Sequence, residues 1–186
     1  GIDDRFIYLP GYTRTNIKIM DNARQQTTDI NNAGEAPAIG ALIELDNILS
    51  ELADSKDWFV LSGNLPPGVP ADIYARLIAS LKAHGKKVVL DTSRDALTEG
   101  LKSAPTIAKP NIDELRQLTG QDLNDISQVK SAARQLISHG IELVVVSMGK
   151  DGAVLITKDE EQACVSPTVK VKSTVGAGDS MVAGMI

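Results

Sequence analysis

Aromatic side chains are scarce in this 186-residue chain: two Phe, three Tyr and one Trp, 3% in all. A protein that grips bases or sugars by stacking needs more rings than that. Cysteine occurs once, at Cys164, so neither an intrachain disulfide framework nor a cysteine metal cluster can form. Basic residues are outnumbered, 19 Lys and Arg against 24 Asp and Glu, for a net charge of −5. A sequence-independent nucleic-acid binder carries the opposite sign, so nucleic acid is not an expected partner. No apolar run approaches the roughly 20 residues that cross a bilayer, so no membrane association is expected. No charged-then-apolar leader follows Gly1. With the lone thiol, this leads to the expectation of a cytoplasmic protein. Two familiar phosphate loops are also missing. There is no G-x-x-x-x-G-K-[ST], and near Gly176 the G-x-G-x-x-G pattern fails because Met181 occupies the third glycine's place.

What is present is enough for one domain: 42% of the residues are apolar. Residues 5–9, 13–20 and 27–31 alternate in strand fashion, with turns expected at Gly11 and Asp21-Asn22. They are expected to form a small antiparallel region. Residues 39–52 keep Ile39, Leu42, Ile43, Leu45, Ile48, Leu49 and Leu52 on one helical face. From Trp58 the pattern changes to strand–helix alternation. Strands are expected at 58–61, 88–90, 106–108 and 143–146, and further ones at 153–157 and 162–165. Helices are expected at 72–84, 94–101, 111–119 and 127–139, with Gly85 and Gly140 as stops. Continuous apolar strands alternating with helices imply a parallel sheet buried on both faces. Residues 180–186 read as an apolar helix cut short, and the chain is expected to be truncated at both ends. Open α/β sheets bind ligands at the carboxyl ends of their strands, which places the chemistry in 62–68, 91–94, 109–114 and 147–152.

The most informative segment is Ser173-Thr174-Val175-Gly176-Ala177-Gly178-Asp179-Ser180. Small residues allow close approach to a ligand, and the N–H groups of Gly176, Ala177 and Gly178 can face an anion at a helix start. Asp179 in the first turn makes sense there as a base that takes a proton from a nucleophile attacking phosphate. A glycine turn with Asp as a helix-start residue is the other possibility. Each further segment also has two readings. Asn111 and Glu114 fit a capping box, and they fit contacts to phosphate and metal with Lys109 beside them. Ser147, Gly149 and Gly152 can close a hairpin or hold a nucleotide. Ser62 and Asn64 lie in a Pro/Gly turn or in a substrate loop. Arg14, Asn16 and Lys18 share one face of an extended segment, as a charged edge strand or an anion grip. His84 and His139 sit at helix ends, where the dipole explains them. Cys164 is expected to be an ordinary buried or half-buried thiol, and Asp159-Glu160-Glu161 a solvated turn.

Five of these segments, in this order, resemble the PfkB (ribokinase-like) carbohydrate kinases. They are Arg14-Thr15-Asn16-Ile17-Lys18, Ser62-Gly63-Asn64-Leu65-Pro66-Pro67-Gly68, Lys109-Pro110-Asn111-Ile112-Asp113-Glu114, Ser147-Met148-Gly149-Lys150-Asp151-Gly152 and Val175-Gly176-Ala177-Gly178-Asp179. The resemblance implies a three-layer α/β/α sandwich with a mostly parallel sheet (residues 36–186) and part of a β lid (residues 1–35). It implies ATP-dependent phosphorylation of a ketohexose phosphate. Fructose 1-phosphate giving the 1,6-bisphosphate comes first, with tagatose 6-phosphate and fructose 6-phosphate as alternatives. It assigns Asp179 as base and Gly176, Ala177 and Gly178 as the anion hole. Lys109, Asn111, Glu114, Ser147, Gly149 and Gly152 are assigned to ATP, with Asn111 and Glu114 near Mg2+ through water. Arg14, Lys18, Ser62 and Asn64 are assigned to the sugar phosphate, and two subunits are expected to associate through the lid. Two departures stand out. Asn64 replaces a second serine, and the family's Gly-rich first signature is not in this sequence. A non-catalytic nucleotide-binding or dimerising piece is therefore the reading from another functional class.

Overall fold

The computed structural model describes residues 2–21, 24, 26–169 and 175–186. Asn22, Ser173 and Thr174, named above in a turn and a loop, lie outside the described residues. Two sheets form. β1 (Ile17–Asp21) and β2 (Gln26–Ile30) make an antiparallel pair, Ile17 opposite Ile30. The six-stranded sheet holds β3 (Trp58–Ser62), β4 (Lys87–Asp91), β5 (Ile107–Ala108), β6 (Leu143–Ser147), β7 (Ala153–Ile156) and β8 (Glu161–Cys164) in sequential order. β3 to β6 run parallel; β7 and β8 turn back antiparallel. The helices are α1 (Ile39–Ala53), α2 (Ile73–Ala83), α3 (Arg94–Leu101), α4 (Ile112–Thr119), α5 (Ile126–Ser138) and α6 (Ala177–Ala183).

The sequential strand order decides where the helices go. Right-handed crossovers that all step in one direction put every crossover helix on the same face of the sheet. Side chains of α1 to α5 accordingly share one core with Leu61, Val88, Leu90, Val144 and Val146. The opposite face carries Val89 and Ile107, and α6 covers it through Val182, with Met185 just beyond the helix. Among the described residues, α6 alone represents the third layer. Strands buried from both sides must be apolar throughout, and Val88, Val89, Leu90 and Val144 are fully buried.

Three expectations need correction. Residues 5–9 and 13–16 are not strands. They alternate in pattern, but among the described residues β1 pairs only with β2, and the pair closes where Asn32 N–H donates to Asn16 Oδ1 at 3.1 Å. Cys164 is exposed, because among the described residues β8 pairs only with β7, and its four residues all face solvent. Glu161 is not part of a solvated turn. It opens β8 and pairs with Arg134 and, at 3.1 Å, with Lys130, two residues of α5.

Candidate functional site

The parallel register lines up the strand ends. Ser62 is opposite Asp91, Leu90 opposite Ala108, Ala108 opposite Val144, and Asn111 bridges to Ser147. One edge of the sheet therefore presents Ser62, Asp91, Lys109, Asn111 and Ser147 side by side. Sequence separation of up to 85 residues disappears across four adjacent chain segments.

Lys109 is the centre of this edge. It follows β5 directly and is 6% exposed, and its Nζ lies 2.9 Å from Asp91 Oδ1. A buried ammonium needs such a partner, since desolvation of an unpaired charge is prohibitive. On its other side, Nζ lies 3.4 Å from the place a Cβ on Gly178 would occupy. The start of α6 is thus set against the lysine. Val182, one turn further along, anchors that helix on Val89 and Ile107. Gly176 takes a left-handed φ of +77°, a turn that suits glycine, and Ser180 Oγ donates to its carbonyl at 2.9 Å. Asp179 is exposed in the first turn of α6.

Asn111 and Glu114 form a complete capping box. Asn111 Oδ1 accepts from the Glu114 N–H and Glu114 Oε2 accepts from the Asn111 N–H, both at 2.8 Å. Capping therefore accounts for both residue types, yet Glu114 has a further property. Burial pushes its carboxyl above the ordinary value, and Asp91 and Asp113 push the same way, while the Asn111 N–H and Lys109 oppose them. A crowded, half-buried carboxylate of this kind is one a divalent cation would relieve. No cluster of three acidic, His or Cys side chains suited to a metal occurs among the described residues. The donor set fits Mg2+, which takes one or two carboxylates, keeps its waters and shares substrate phosphates.

Glu114 supports a prediction about pH. Its folded pKa is raised above the unfolded one, so between the two the folded state binds the proton more tightly. The stability this gives is full below the unfolded value and is lost as pH rises through the folded pKa. Glu114→Gln keeps the capping hydrogen bonds without titrating. Relative to the parent chain, its stability in urea titrations should improve steadily from below pH 4.5 toward neutrality. A difference independent of pH would show that burial does not shift this carboxyl.

The loops after β3 and β4 are stitched into one unit. Gly63 N–H donates to the Asp91 carbonyl at 3.1 Å, and Thr92 Oγ1 donates to the Gly63 carbonyl at 2.7 Å. Ser93 Oγ donates to Asn64 Oδ1 at 2.8 Å. Tyr74 OH donates toward the carbonyls of Ser62 and Gly63, each at 3.0 Å; burial, and secondarily Asp91, raises its pKa. With its oxygen engaged, Asn64 keeps its amide N–H groups for a ligand. Arg14 and Asn64 line one cleft of about 490 Å³ between the segment before β1 and these loops. Lys18 and Ser62 are not among the described residues lining it. Ser147, Gly149 and Gly152 lie at the β6–β7 connection, where residues 149–151 form a single 3-10 turn. Gly152 has a role in the fold itself: its φ is +93°, and a Cβ there would lie 1.9 Å from the Cys164 carbonyl oxygen.

The sequence placed chemistry in segment 91–94 but assigned no role to Asp91, Ser93 or Arg94 individually. The available signal was an acidic residue ending the apolar strand before residues 92–94, at the sheet edge where ligands bind. Among the described residues, no helix is long and apolar enough to cross a membrane.

Comparison with known proteins gives concordant matches. Residues 1–186 match the pfkB family of carbohydrate kinases. The chain is 44% identical over 187 residues to a 1-phosphofructokinase of Rhodobacter capsulatus, covering 100% of this chain and 59% of that protein. It is 38% identical over 185 residues to a 1-phosphofructokinase of Vibrio cholerae, covering 100% of this chain and 58% of that protein. Phosphofructokinase-2 from Escherichia coli, solved in complex with fructose-6-phosphate, superposes with a TM-score of 0.81 at 31% identity, over 91% of this chain and 56% of that one. A possible 1-phosphofructokinase from Thermotoga maritima gives a TM-score of 0.81 at 26% identity, over 94% and 56%. The chain thus spans somewhat under three fifths of the length of these curated relatives.

Proposed function

Because the chain belongs to the pfkB family of carbohydrate kinases, we propose that it serves ATP-dependent phosphorylation of a ketohexose phosphate, with fructose 1-phosphate as the substrate. The observation that carries the proposal is the meeting of Lys109 with the Gly178 turn of α6, at the ends of β4 and β5. A cation and a small-residue helix start at one point suit a transferring phosphoryl group. The 1-phosphofructokinase relatives, all covering the whole of this chain, favour fructose 1-phosphate over its isomers.

In this mechanism Asp179 takes the proton from the attacking sugar hydroxyl. The N–H groups of Gly176, Ala177 and Gly178 stabilise charge on the phosphoryl group during in-line transfer. Lys109 neutralises nucleotide phosphate, and the 147–152 turn flanks the nucleotide. Mg2+, held near Glu114 and Asn111 through water, would neutralise charge on the β- and γ-phosphates. Arg14 holds the phosphate already on the sugar, its planar fork matching two oxygens. Lys18 and Ser62 belong to the same assignment at greater remove, since neither lines the cleft with Arg14. Residues 1–35 act as the lid and 36–186 as the core in a cytoplasmic protein. The half-exposed Ile17, Ile19, Met20 and Ile30 of the lid pair support association of two subunits there.

The test is ADP release from MgATP with fructose 1-phosphate, fructose 6-phosphate, tagatose 6-phosphate and free fructose. Fastest release with fructose 1-phosphate is expected. Equal rates for free fructose would overturn the sugar-phosphate assignment. Nucleotide binding without release from any sugar would favour a binding or dimerising piece. Arg14→Ala should raise KM for the sugar phosphate about tenfold or more and leave KM for ATP within about twofold. Equal effects on both would remove Arg14 from the substrate site.

A further inference from the structure

We propose that Arg94 is a second cation for the sugar's phosphate group, facing it across the cleft from Arg14 and setting the preference for phosphorylated over neutral sugars. The inference rests on the sugar-phosphate reading of the cleft and names a residue that reading did not include. Arg14 and Arg94 line the same cleft of about 490 Å³, together with Asn64 and Ser93. Neither guanidinium has an ion-pair partner among the described residues. Asp95 also lines the cleft, so the lining keeps an excess of positive charge. Two unpaired guanidinium groups on a polar cleft suit a phosphate monoester, a dianion with three acceptor oxygens.

The backbone gives an independent reason to look at this position. Arg94 begins α3 at φ +56°, a left-handed conformation that is strained for a residue with a long side chain. Glycine would adopt it without strain, so the turn itself gives no reason for arginine. Neighbouring bonds hold the strained residue in place. Thr92 and Ser93 are fixed to Gly63 and Asn64, and Gly100 packs against Leu90, where a Cβ would come within 2.7 Å. Arg94 thus lines the cleft from a hydrogen-bonded turn whose backbone angle favours glycine.

The test uses calorimetric titration of the chain with fructose 1-phosphate, free fructose and MgATP, alongside thermal unfolding. Arg94→Gly should weaken fructose 1-phosphate binding tenfold or more and leave MgATP and fructose binding within twofold. Its unfolding midpoint should be no lower than that of the parent chain, which separates a ligand role from a structural one. Arg94→Lys, with the charge but not the fork, should fall between the two. Fructose 1-phosphate binding by Arg94→Gly within twofold of the parent overturns the assignment, as does an equal loss of fructose and fructose 1-phosphate. If Arg14→Ala loses the phosphosugar and Arg94→Gly does not, the cleft reading stands and the role of Arg94 falls. If the unchanged chain binds no phosphosugar, both fall together.

Discussion

Asp179→Asn is expected to lower turnover about a hundredfold or more while MgATP affinity stays within about twofold. The size follows from the role. A positioned base acts only in the transition state, so its loss appears in kcat and not in ground-state binding. Asparagine has the same shape and can occupy the first turn of α6, so the helix start beside Lys109 should survive. Asp179 is exposed and makes no packing contribution that the substitution would remove. Pre-steady-state measurement of phosphoryl transfer, with nucleotide affinity measured separately, distinguishes the outcomes. Normal turnover would remove Asp179 as the base. A parallel collapse of MgATP binding would make it a structural member of the turn instead.

The second large effect concerns stability. Asp91→Ala leaves the Lys109 ammonium buried and unpaired, and is expected to destabilise the fold by about 3 kcal/mol or more. For a chain of this size that corresponds to a fall of roughly 6–12 °C in Tm. Combining it with Lys109→Met should restore most of the loss, because an apolar side chain needs no counterion there. Nucleotide affinity should stay low in the double variant, since the cation beside Gly178 is gone. Thermal unfolding and ATP titration of the parent, two single and one double variant check this. Additive losses, with no recovery in the double variant, would show that Asp91 and Lys109 act separately. Recovery of stability together with full nucleotide affinity would show that Lys109 serves the fold and not the nucleotide.

Much of the framework was legible from residue order. The apolar run Val88-Val89-Leu90 marked a strand buried on both faces, and Gly85 and Gly140 marked helix ends next to His84 and His139. The Asn111–Glu114 spacing marked a helix start, and both capping bonds form. These signals are local, because periodicity, caps and glycine stops act within one or two turns of chain. The same local logic failed at residues 5–9. Alternation describes a strand only if a partner edge is available, and among the described residues the pairing here is between β1 and β2 alone.

The site residues divide on the same line. Sequence placed Asp179, Lys109, Asn111, Glu114 and Arg14 in segments suited to phosphate chemistry, since each segment has its own composition and spacing. It gave no sign that Lys109 is buried, because burial depends on Asp91 reaching it from the neighbouring strand, 18 positions away. Nor could it separate Arg14 from Lys18, because the cleft wall, not the strand pattern, decides which side chain lines it. Segment 91–94 was marked at a strand end, but a separate role for Arg94 was not. The meaning of Arg94 lies in a left-handed backbone angle and a shared cavity, and neither is written in residue order. Residue order alone determined the class of fold, the strand ends and the small-residue helix start, which depend on local patterns. Only the tertiary structure determined which charges meet, because electrostatic partners across parallel strands are set by register and by crossover direction.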